Sequence, residues 1–558
     1  MEARLTLSSL LKHPAVSTLR EHGPKVLLGL FDVLVVWLVF QVRSWAWFRG
    51  DLGQEGFDDV PESWWDWGSA ADLLLFGPDA GNWAANARAL MEGTAPDLHR
   101  LPVYGWLTGA MTTVFPDYAF AGHLVNHLAS AMVCVVTYFL GRATSGRGAG
   151  LGAALLVAMS PQLINAQNLY GVDPVMNLLV VLLVLVGWWA MTGPWWVVPI
   201  TGVIAGLCAG THYLSMLFPL PVALLMLLHR GDWRRRVLAP IAVLCIAWLT
   251  FQALLIPYPP LSLSQAFSVY SEGVVGSHDR ADLSGGGMWA AVELVLSKLD
   301  GTPHTAVQTG LSPLLAGVGW WPLLGAFWIG LLGPLLGRDK TMKWGWDWRF
   351  GVWLLVLMAP LVLLEGARAP ERYRYYAAPL VMLTVARGVA SVCAAVDLGG
   401  RRLHRLWPSG LLAVLVCGVL AAQLFEPLRA AWPGVPPLDE GVHERAVGLA
   451  VKTHFGEGGG VVTVNQAIPF YAGREKCPQA MCPADGEAKV RACRQLVRQQ
   501  CAGTGDIPWI VDIRDNEGFA DRRDVEIDAW VQENFSYVDA VVTQGRKTSI
   551  YRVPRKAL

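Results

Sequence analysis

Long apolar stretches constrain this chain more than any other feature of its sequence. About eleven of them lie near residues 26–46, 118–140, 148–164, 172–192, 195–211, 213–228, 237–257, 311–336, 350–365, 372–396 and 409–427. A helix needs about 20 apolar residues to cross a hydrocarbon core about 30 Å thick. The sequence therefore predicts an α-helical polytopic membrane protein with about eleven transmembrane helices, and it excludes a water-soluble enzyme.

The composition supports this prediction. Charged residues make up 16% of the chain and the mean hydropathy is +0.38, whereas soluble proteins contain about 25% charged residues. Lys and Arg together number 44, as do Asp and Glu. Because no excess positive charge is available to bind phosphates, nucleic acid is not expected as a partner.

The distribution of basic residues predicts the orientation in the membrane, because short cytoplasmic loops carry Lys and Arg. Basic residues precede the first stretch, and no small-residue cleavage site follows it, so it is interpreted as a retained anchor with a cytoplasmic N-terminus. Apart from a very short link near Thr192, alternate loops are basic: they contain Arg142, Arg147, Arg230, Arg234, Arg235, Arg236, Arg338, Lys340, Lys343, Arg401, Arg402 and Arg405. The odd number of stretches predicts an extracytoplasmic (periplasmic) C-terminus, and we expect the plasma (inner) membrane as the location.

Near residue 429 the sequence changes from long apolar stretches to mainly polar sequence. Residues 1–428 are predicted to form the membrane module, with an outer loop at 47–117, and residues 429–558 a small soluble α/β domain. Strand-like runs lie at 461–464 and 509–513, and the runs 537–542 and 549–553 predict a hairpin.

Four cysteines lie within 25 residues of this domain: Cys477, Cys482, Cys493 and Cys501. In an oxidising compartment they predict two disulfides, and zinc is the alternative that their spacing favours less. If 486–500 is helical, Cys493 and Cys501 are about 12 Å apart along the axis, too far to bond each other. Each is therefore expected to pair with Cys477 or Cys482.

Ionisable residues converge on the predicted outer face of the membrane. Asp79 lies in the first outer loop, Asp173 and His212 lie at the outer ends of stretches, and Arg372 and Arg374 begin a later one. Such groups usually line a cavity or a pathway, so this convergence predicts a site.

A second polar feature lies on one stretch, where His123, Asn126 and His127 share a helix face. Two readings remain open for it: the two imidazoles hold a divalent cation, or they form hydrogen bonds inside the bundle.

Three motifs carry a resemblance to a known superfamily. The first reads Phe76-Gly77-Pro78-Asp79-Ala80-Gly81-Asn82-Trp83, runs on through Ala87-Arg88-Ala89-Leu90-Met91-Glu92-Gly93, and reaches Leu101-Pro102-Val103-Tyr104-Gly105-Trp106-Leu107. The second is Asp173-Pro174, and the third is Glu371-Arg372-Tyr373-Arg374-Tyr375-Tyr376-Ala377-Ala378-Pro379. Together they resemble the GT-C glycosyltransferases, in the branch of the protein O-mannosyltransferases and the aminoarabinose transferases.

The resemblance implies an activity and roles for individual residues. A sugar would move with inversion from a polyprenyl-phosphate donor to a glycan, lipid or protein acceptor outside the cytoplasm. Asp79 would be the general base and Asp173 would orient the acceptor or the catalytic shell. Arg372, Arg374, Arg100 and His212 would hold the donor phosphate, although the branch often has Lys where this chain has Arg100 and His212. The substrate cavity would be lined by Tyr104, His123, His127, Glu371 and Tyr373.

Other readings compete with this one. A transporter or flippase would use intramembrane His and Asp as a coupling relay, but no half of the chain visibly repeats the other. A membrane scaffold would leave the convergent charges without a purpose. Trp64, Trp65 and Trp67 fit an interfacial belt or a sugar-stacking surface, and the loop 259–310 fits either a lid or a disordered segment.

Overall fold

The computed structural model describes residues 28–41, 80–94, 96, 100–160, 163, 167, 170–212, 215, 218–228, 233–257, 325–332, 349–354, 356–357, 376, 378–399, 411–421, 439–463, 467–477, 495, 497–499, 501, 506–513, 525–543 and 546–554. The three tryptophans at 64–67 and the loop 259–310 lie outside these residues.

The membrane module is helical throughout its described part. Its helices are α1 (Leu28–Gln41), α2 (Ala80–Glu92), α3 (Pro102–Thr112), α4 (Tyr118–Ser145), α5 (Arg147–Ala158), α6 (Asp173–Thr192), α7 (Val197–Ala209), α8 (Pro219–Leu225), α9 (Trp233–Leu254), α10 (Ala378–Gly399) and α11 (Leu411–Ala421), with further helical residues at 325–332 and 349–354. Each predicted apolar stretch contains helical residues. Of the described helices, α4, α6 and α9 are long and apolar enough to cross a membrane. The predicted polytopic helical fold is confirmed.

Local chemistry sets where α4 begins and ends. The Asp117 side chain accepts a hydrogen bond of 2.8 Å from the backbone N–H of Phe120 and so caps the helix. Gly146 ends it with a φ of 93°, which a residue with a side chain rarely adopts. The chain then reverses into α5. The two helices approach closely, since a Cβ on Gly141 would lie 2.6 Å from the Cα of Gly150.

A buried carboxylate ties α1 to this helical pair. Asp32 is 1% exposed, and its two oxygens accept hydrogen bonds from Arg147 Nε at 2.7 Å and Nη2 at 2.6 Å. The Tyr138 hydroxyl donates to the same carboxylate at 2.7 Å, and Arg142 Nη1 donates to that hydroxyl at 3.2 Å. Sequence reasoning assigned Arg142 and Arg147 to one loop but did not find Asp32, which binds Arg147 directly and is connected to Arg142 through the Tyr138 hydroxyl.

The C-terminal domain contains a five-stranded mixed sheet in the order β2-β1-β3-β5-β4. The strands are β1 (Gly460–Val462), β2 (Glu475–Cys477), β3 (Ile507–Ile513), β4 (Ser536–Thr543) and β5 (Arg546–Val553). Strand β1 pairs in parallel with β2 and β3, and β5 pairs antiparallel with β3 and β4. The predicted hairpin and both predicted strand runs are confirmed.

Helices cover both faces of this sheet, as the alternation along its strands requires. Val461, Ile510 and Ile550 share one core with helices α12 (Asp439–Phe455) and α13 (Ala467–Ala472). Val462, Trp509, Val511 and Val553 share the other core with Val497 and with Val531 of helix α14 (Val525–Asn534). The domain is therefore a three-layer α/β unit.

A disulfide joins Cys477, the last residue of β2, to Cys501, with the two Cα atoms 4.9 Å apart. This is one of the pairings that the cysteine spacing allows for Cys501. Cys482 and Cys493 lie outside the described residues, so their bond stays a prediction, as does the domain boundary at residue 429.

We predict that Asp32→Ala destabilises the membrane module. The substitution leaves the Tyr138 hydroxyl and the Arg147 guanidinium without their acceptor, and a hydrogen bond to a charged group is worth about 1.5–3 kcal/mol. Because Arg147 is half-exposed, we expect the lower end of that range. Thermal unfolding of the purified protein in detergent measures the change.

Asp506→Ala is the matched control, because Asp506 is exposed and lies 3.9 Å from its partner Arg552. Equal melting temperatures for the two variants would contradict the prediction.

Candidate functional site at the outer end of the bundle

Tyr104 of α3 is the centre of an aromatic cluster. Its side chain is fully buried. The Trp83 ring of α2 meets it edge-on with centroids 5.4 Å apart, and the Tyr170 ring meets it at 5.9 Å. Edge-to-face contacts at these distances are favourable. The cluster therefore connects α2, α3 and the segment that leads into α6.

Tyr170 is held by two further contacts. Its hydroxyl donates to the carbonyl oxygen of Tyr118 at 3.0 Å, and its ring meets His123 edge-on at 5.5 Å. It also lies directly on the backbone of Gly122, where a Cβ would come 2.2 Å from the ring. Burial raises the pKa of Tyr170 well above its ordinary value, so its hydroxyl stays a hydrogen-bond donor.

Asp173 begins α6 three residues after Tyr170. It is 6% exposed, and its position in the first turn places a carboxylate where the partial positive charge of the helix terminus stabilises it. One turn later lies Asn177, which is fully buried. Neither amide atom of Asn177 has a hydrogen-bond partner among the residues described here. Residues four apart share a helix face, so α6 presents a polar strip that starts at Asp173.

Arg100 lies over the same aromatic cluster. Its guanidinium carbon is 5.1 Å from the centroid of the Trp83 ring, within cation–π range. Its backbone oxygen accepts a hydrogen bond of 3.1 Å from the side chain of Asn86. Both contacts are with α2, so Arg100 is held where α2 and α3 meet.

Backbone hydrogen bonds place His212 at this end of the bundle. The N–H of Val103 donates to the oxygen of Gly210 at 3.1 Å, which joins the start of α3 to the end of α7. The hydroxyl of the buried Ser215 accepts from the N–H of His212 at 3.1 Å and donates to its oxygen at 2.6 Å. These bonds fix the turn that carries His212 near the start of α3.

The His127 side chain forms hydrogen bonds with residues outside the aromatic cluster. Its Nε2 lies 3.1 Å from Gln41 Oε1, and its Nδ1 lies 3.0 Å from Gln167 Nε2. Phe40 packs against the same ring at 5.2 Å. One of the two interpretations of the helix face with His123, Asn126 and His127 was that its histidines form hydrogen bonds inside the bundle. The contacts of His127 are of that kind. Within the described ranges, no three His, Cys, Asp or Glu side chains form a group that could hold a metal.

Part of the predicted site lies outside the described residues. This holds for Asp79, Glu371, Arg372, Tyr373 and Arg374, whose roles stay predictions. The last motif enters the described structure at Tyr376, which is fully buried and packs edge-on against Phe218 at 4.7 Å.

Sequence reasoning missed two residues that organise the cluster. Trp83 belongs to the first motif, but nothing in its spacing indicates contact with both Tyr104 and Arg100. Tyr170 precedes Asp173 by three residues, and only the packing of α4 against this segment brings it to His123. Their proximity to motif residues was the available signal.

The chain is similar to known proteins both in sequence and in structure. Residues 96–258 match the family model of the dolichyl-phosphate-mannose-protein mannosyltransferases. This range contains Arg100, Tyr104, His123, Asp173 and His212. No curated protein sequence matches the chain.

Two solved structures illustrate the structural likeness. ArnT from Cupriavidus metallidurans bound to undecaprenyl phosphate has 12% identity and a TM-score of 0.55, and the match covers 94% of this chain and 98% of that one. The oligosaccharyltransferase of Archaeoglobus fulgidus, tethered to an acceptor peptide, has 12% identity and a TM-score of 0.56, with 89% and 70% covered. At this identity the likeness shows a common fold.

We predict that Gly122→Ala displaces Tyr170 and destabilises the protein. A Cβ placed 2.2 Å from the ring cannot be accommodated without movement, and overpacking costs about 1–3 kcal/mol. The double variant Gly122→Ala, Tyr170→Ala should lose less than the two single losses added together, because removing the ring makes room for the new methyl group. Thermal unfolding measures all three variants.

Gly418→Ala in α11 is the control for this series, because a Cβ there meets nothing within 4 Å. It should leave the melting temperature unchanged or raise it slightly, since Ala favours a helix over Gly. A strictly additive double variant would show that the ring and the glycine do not interact as described.

Proposed function

We propose that this chain, whose membrane module has the GT-C fold, is a glycosyltransferase that moves a sugar from a polyprenyl-phosphate donor to an acceptor outside the cytoplasm. The resemblance to the GT-C superfamily that the motifs indicated is confirmed by the family model over 96–258 and by the structural likeness. The donor class, the acceptor side and the residue roles below are proposals.

The observation that carries this proposal is the convergence at one end of the bundle. The guanidinium of Arg100 lies over the Trp83 ring, the Trp83 and Tyr170 rings pack on Tyr104, and the buried carboxylate of Asp173 follows Tyr170 by three residues. A sugar phosphate needs these groups: a cation for the phosphate, a carboxylate for a hydroxyl, and an aromatic face for the sugar ring.

The relatives support the choice of donor and acceptor. One structural relative binds undecaprenyl phosphate and another is tethered to an acceptor peptide. A lipid donor also explains why the active site would lie on a bundle of transmembrane helices. The polyprenyl chain of the donor stays in the bilayer, and its phosphate lies at the membrane interface. The proposed acceptor is a glycan, a lipid or a protein.

Asp79 is proposed as the general base. It directly precedes α2, the helix whose Trp83 packs on Tyr104. A base on the acceptor hydroxyl allows direct attack at the anomeric carbon without a covalent glycosyl-enzyme, which gives inversion. Asp173, buried at the start of α6, would orient the acceptor or the groups around the base.

The departing phosphate is proposed to be held by basic side chains. Arg372 and Arg374 would bind it, with Arg100 and His212 as helpers, because arginine forks bidentately onto phosphate oxygens. Protein cations then supply the charge neutralisation. Measuring transfer with and without a divalent cation tests the alternative in which His123 and His127 hold one.

The proposed orientation places the site outside the cytoplasm. Helix α4 has 28 residues and is therefore about 42 Å long. Its Tyr118 end packs against Phe470 of the C-terminal domain, and its other end carries Arg142 in the Asp32 network. Basic residues favour the cytoplasmic side, so we assign the N-terminus to the cytoplasm and the C-terminal domain to the periplasmic side of the plasma (inner) membrane.

Transfer of a sugar from a polyprenyl-phosphate donor by the purified protein tests the proposal. The flippase alternative predicts movement of that donor across a proteoliposome membrane without any glycosylated product. That outcome would overturn the proposed function.

We predict that Asp79→Asn lowers the transfer rate by about 10²- to 10⁴-fold, the scale of lost acid–base catalysis. Folding and donor binding should persist, because Asn keeps the shape of the side chain and also caps helices well. The control is Asp117→Asn, which changes a carboxylate that caps α4 and should leave the rate unchanged. Near-normal turnover by Asp79→Asn would remove Asp79 from the mechanism and make Asp173 the next candidate.

We predict that Arg372→Ala or Arg374→Ala weakens use of the donor. Loss of one partner of a buried ionic contact costs about 2–5 kcal/mol, which should raise the donor KM. Steady-state kinetics at varied donor concentration measures the change. Arg498→Ala, which removes an exposed arginine of the C-terminal domain, is the control. Wild-type donor KM in both single variants would refute the assignment.

A further inference from the structure

Among the described residues, helix α13 of the C-terminal domain contacts helix α2 of the membrane module. Phe470 of this helix lies under the guanidinium of Arg88 on α2, with the guanidinium carbon 4.3 Å from the ring centroid. The same guanidinium lies 5.6 Å from the Tyr118 ring, and the two rings meet edge-on at 6.1 Å. Arg88, Tyr118 and Phe470 therefore form a three-residue contact, called here the docking contact, between the two parts of the chain.

Helix α13 is fixed firmly to its own domain. Ile468 and Ala472 are buried in the core beneath the sheet. Arg474, just beyond the helix, donates from Nη1 to the backbone oxygens of Phe455 and Gly456, both at 3.0 Å, and from Nε to that of Gly460 at 3.3 Å. Because these bonds join α13 to α12 and β1, the position of Phe470 follows that of the whole domain.

Close packing reinforces this attachment. A Cβ on Gly448 of α12 would lie 2.5 Å from the Cβ of Tyr471 and 2.9 Å from the oxygen of Ile468. Tyr471 itself packs partly against the core of the membrane module. The helix is thus held from one side by its domain and meets the membrane module with the other.

On the membrane side, the docking contact acts on α2. This helix has 13 residues, and isolated helices of that length are marginal in water, so packing must position it. Near its N-terminal end, Trp83 packs on Tyr104, and Asn86 donates to the backbone of Arg100. The docking contact at Arg88 supports the same helix from outside, and the proposed base Asp79 directly precedes it.

We propose that the C-terminal domain positions the active site: through Phe470 on Arg88 it fixes α2, the helix whose Trp83 packs on Tyr104 and which Asp79 directly precedes in the sequence. This inference rests on the proposed function. Arg88 and Phe470 are positioning residues, since neither is required to touch the substrate. The C-terminal domain would then be required for full transferase activity.

The test compares two substitutions of Phe470 in the full-length protein. Phe470→Leu keeps an apolar side chain but removes the aromatic face, and misplacement of a reacting group should lower kcat by about 10- to 100-fold while the donor KM changes far less. Phe470→Tyr keeps the face and should restore the rate. Arg88→Gln should act like Phe470→Leu, and the double variant should be no slower than the slower single variant.

The control variant is His454→Ala, which removes an exposed contact of 3.0 Å between His454 Nε2 and Asp539 Oδ2 in the same domain. It should leave kcat unchanged. A fall in kcat for His454→Ala equal to that for Phe470→Leu would point to general damage to the domain and would overturn the assignment to the docking contact. So would a Phe470→Leu variant with a lower melting temperature and an unchanged kcat per folded molecule.

Amide hydrogen exchange provides a readout that does not depend on activity. In Phe470→Leu, exchange should become faster in residues 81–91 of α2, and it should stay unchanged in β3 of the sheet. Unchanged exchange in α2 would overturn the inference whatever the kinetics. If the wild-type protein transfers no sugar, the proposed function fails, and the exchange result alone still decides whether the domain holds α2.

Discussion

The close approach of neighbouring segments to two glycines of α4 is the constraint on which the described architecture depends. At one end, Gly122 lets the ring of Tyr170 lie directly on the helix backbone; at the other end, Gly141 lets α5 approach to backbone contact. A larger side chain at either position would push a neighbour outward. Because α4 also packs against α3, α6 and α10, its surface sets the distances between the elements that carry the candidate site.

The two ends of α4 have different chemistry, and this difference organises the molecule. One end holds a buried carboxylate among basic and phenolic groups, which is a structural arrangement with every partner in place. The other end gathers aromatic rings around a helix-terminal carboxylate and a guanidinium, with the buried amide of Asn177 one turn further along α6. Ionisable and polar groups at membrane depth usually line a cavity or a pathway, so this end is suited to binding a polar substrate.

Sequence patterns predicted those parts of the fold that depend on local periodicity. Apolar length located the helices, and short strand-like runs located β1, β3, β4 and β5, because both signals arise within a single segment. Local patterns could not predict Asp32 beside Arg147, or Tyr170 on Gly122, since these pairs depend on how distant segments pack. Similarly, the cysteine spacing left two partners for Cys501, and the geometry of β2 selects Cys477. Within the candidate site, the motifs indicated Arg100, Tyr104 and Asp173, but not the aromatic contacts that hold them.

The position of α13 in the chain gives the disulfide a wider significance. Strands β1 and β2 are parallel neighbours, and α13 is the connection between them, so the segment bearing Phe470 is anchored at one end by a central strand and at the other by an edge strand of three residues. So short an edge strand offers few ladder hydrogen bonds, and the bond from Cys477 to Cys501 adds a covalent attachment at this end. A thiol-reducing environment would remove that attachment. Through this one crossover helix, the disulfide therefore adds a covalent tie to the segment whose Phe470 contacts Arg88 of α2.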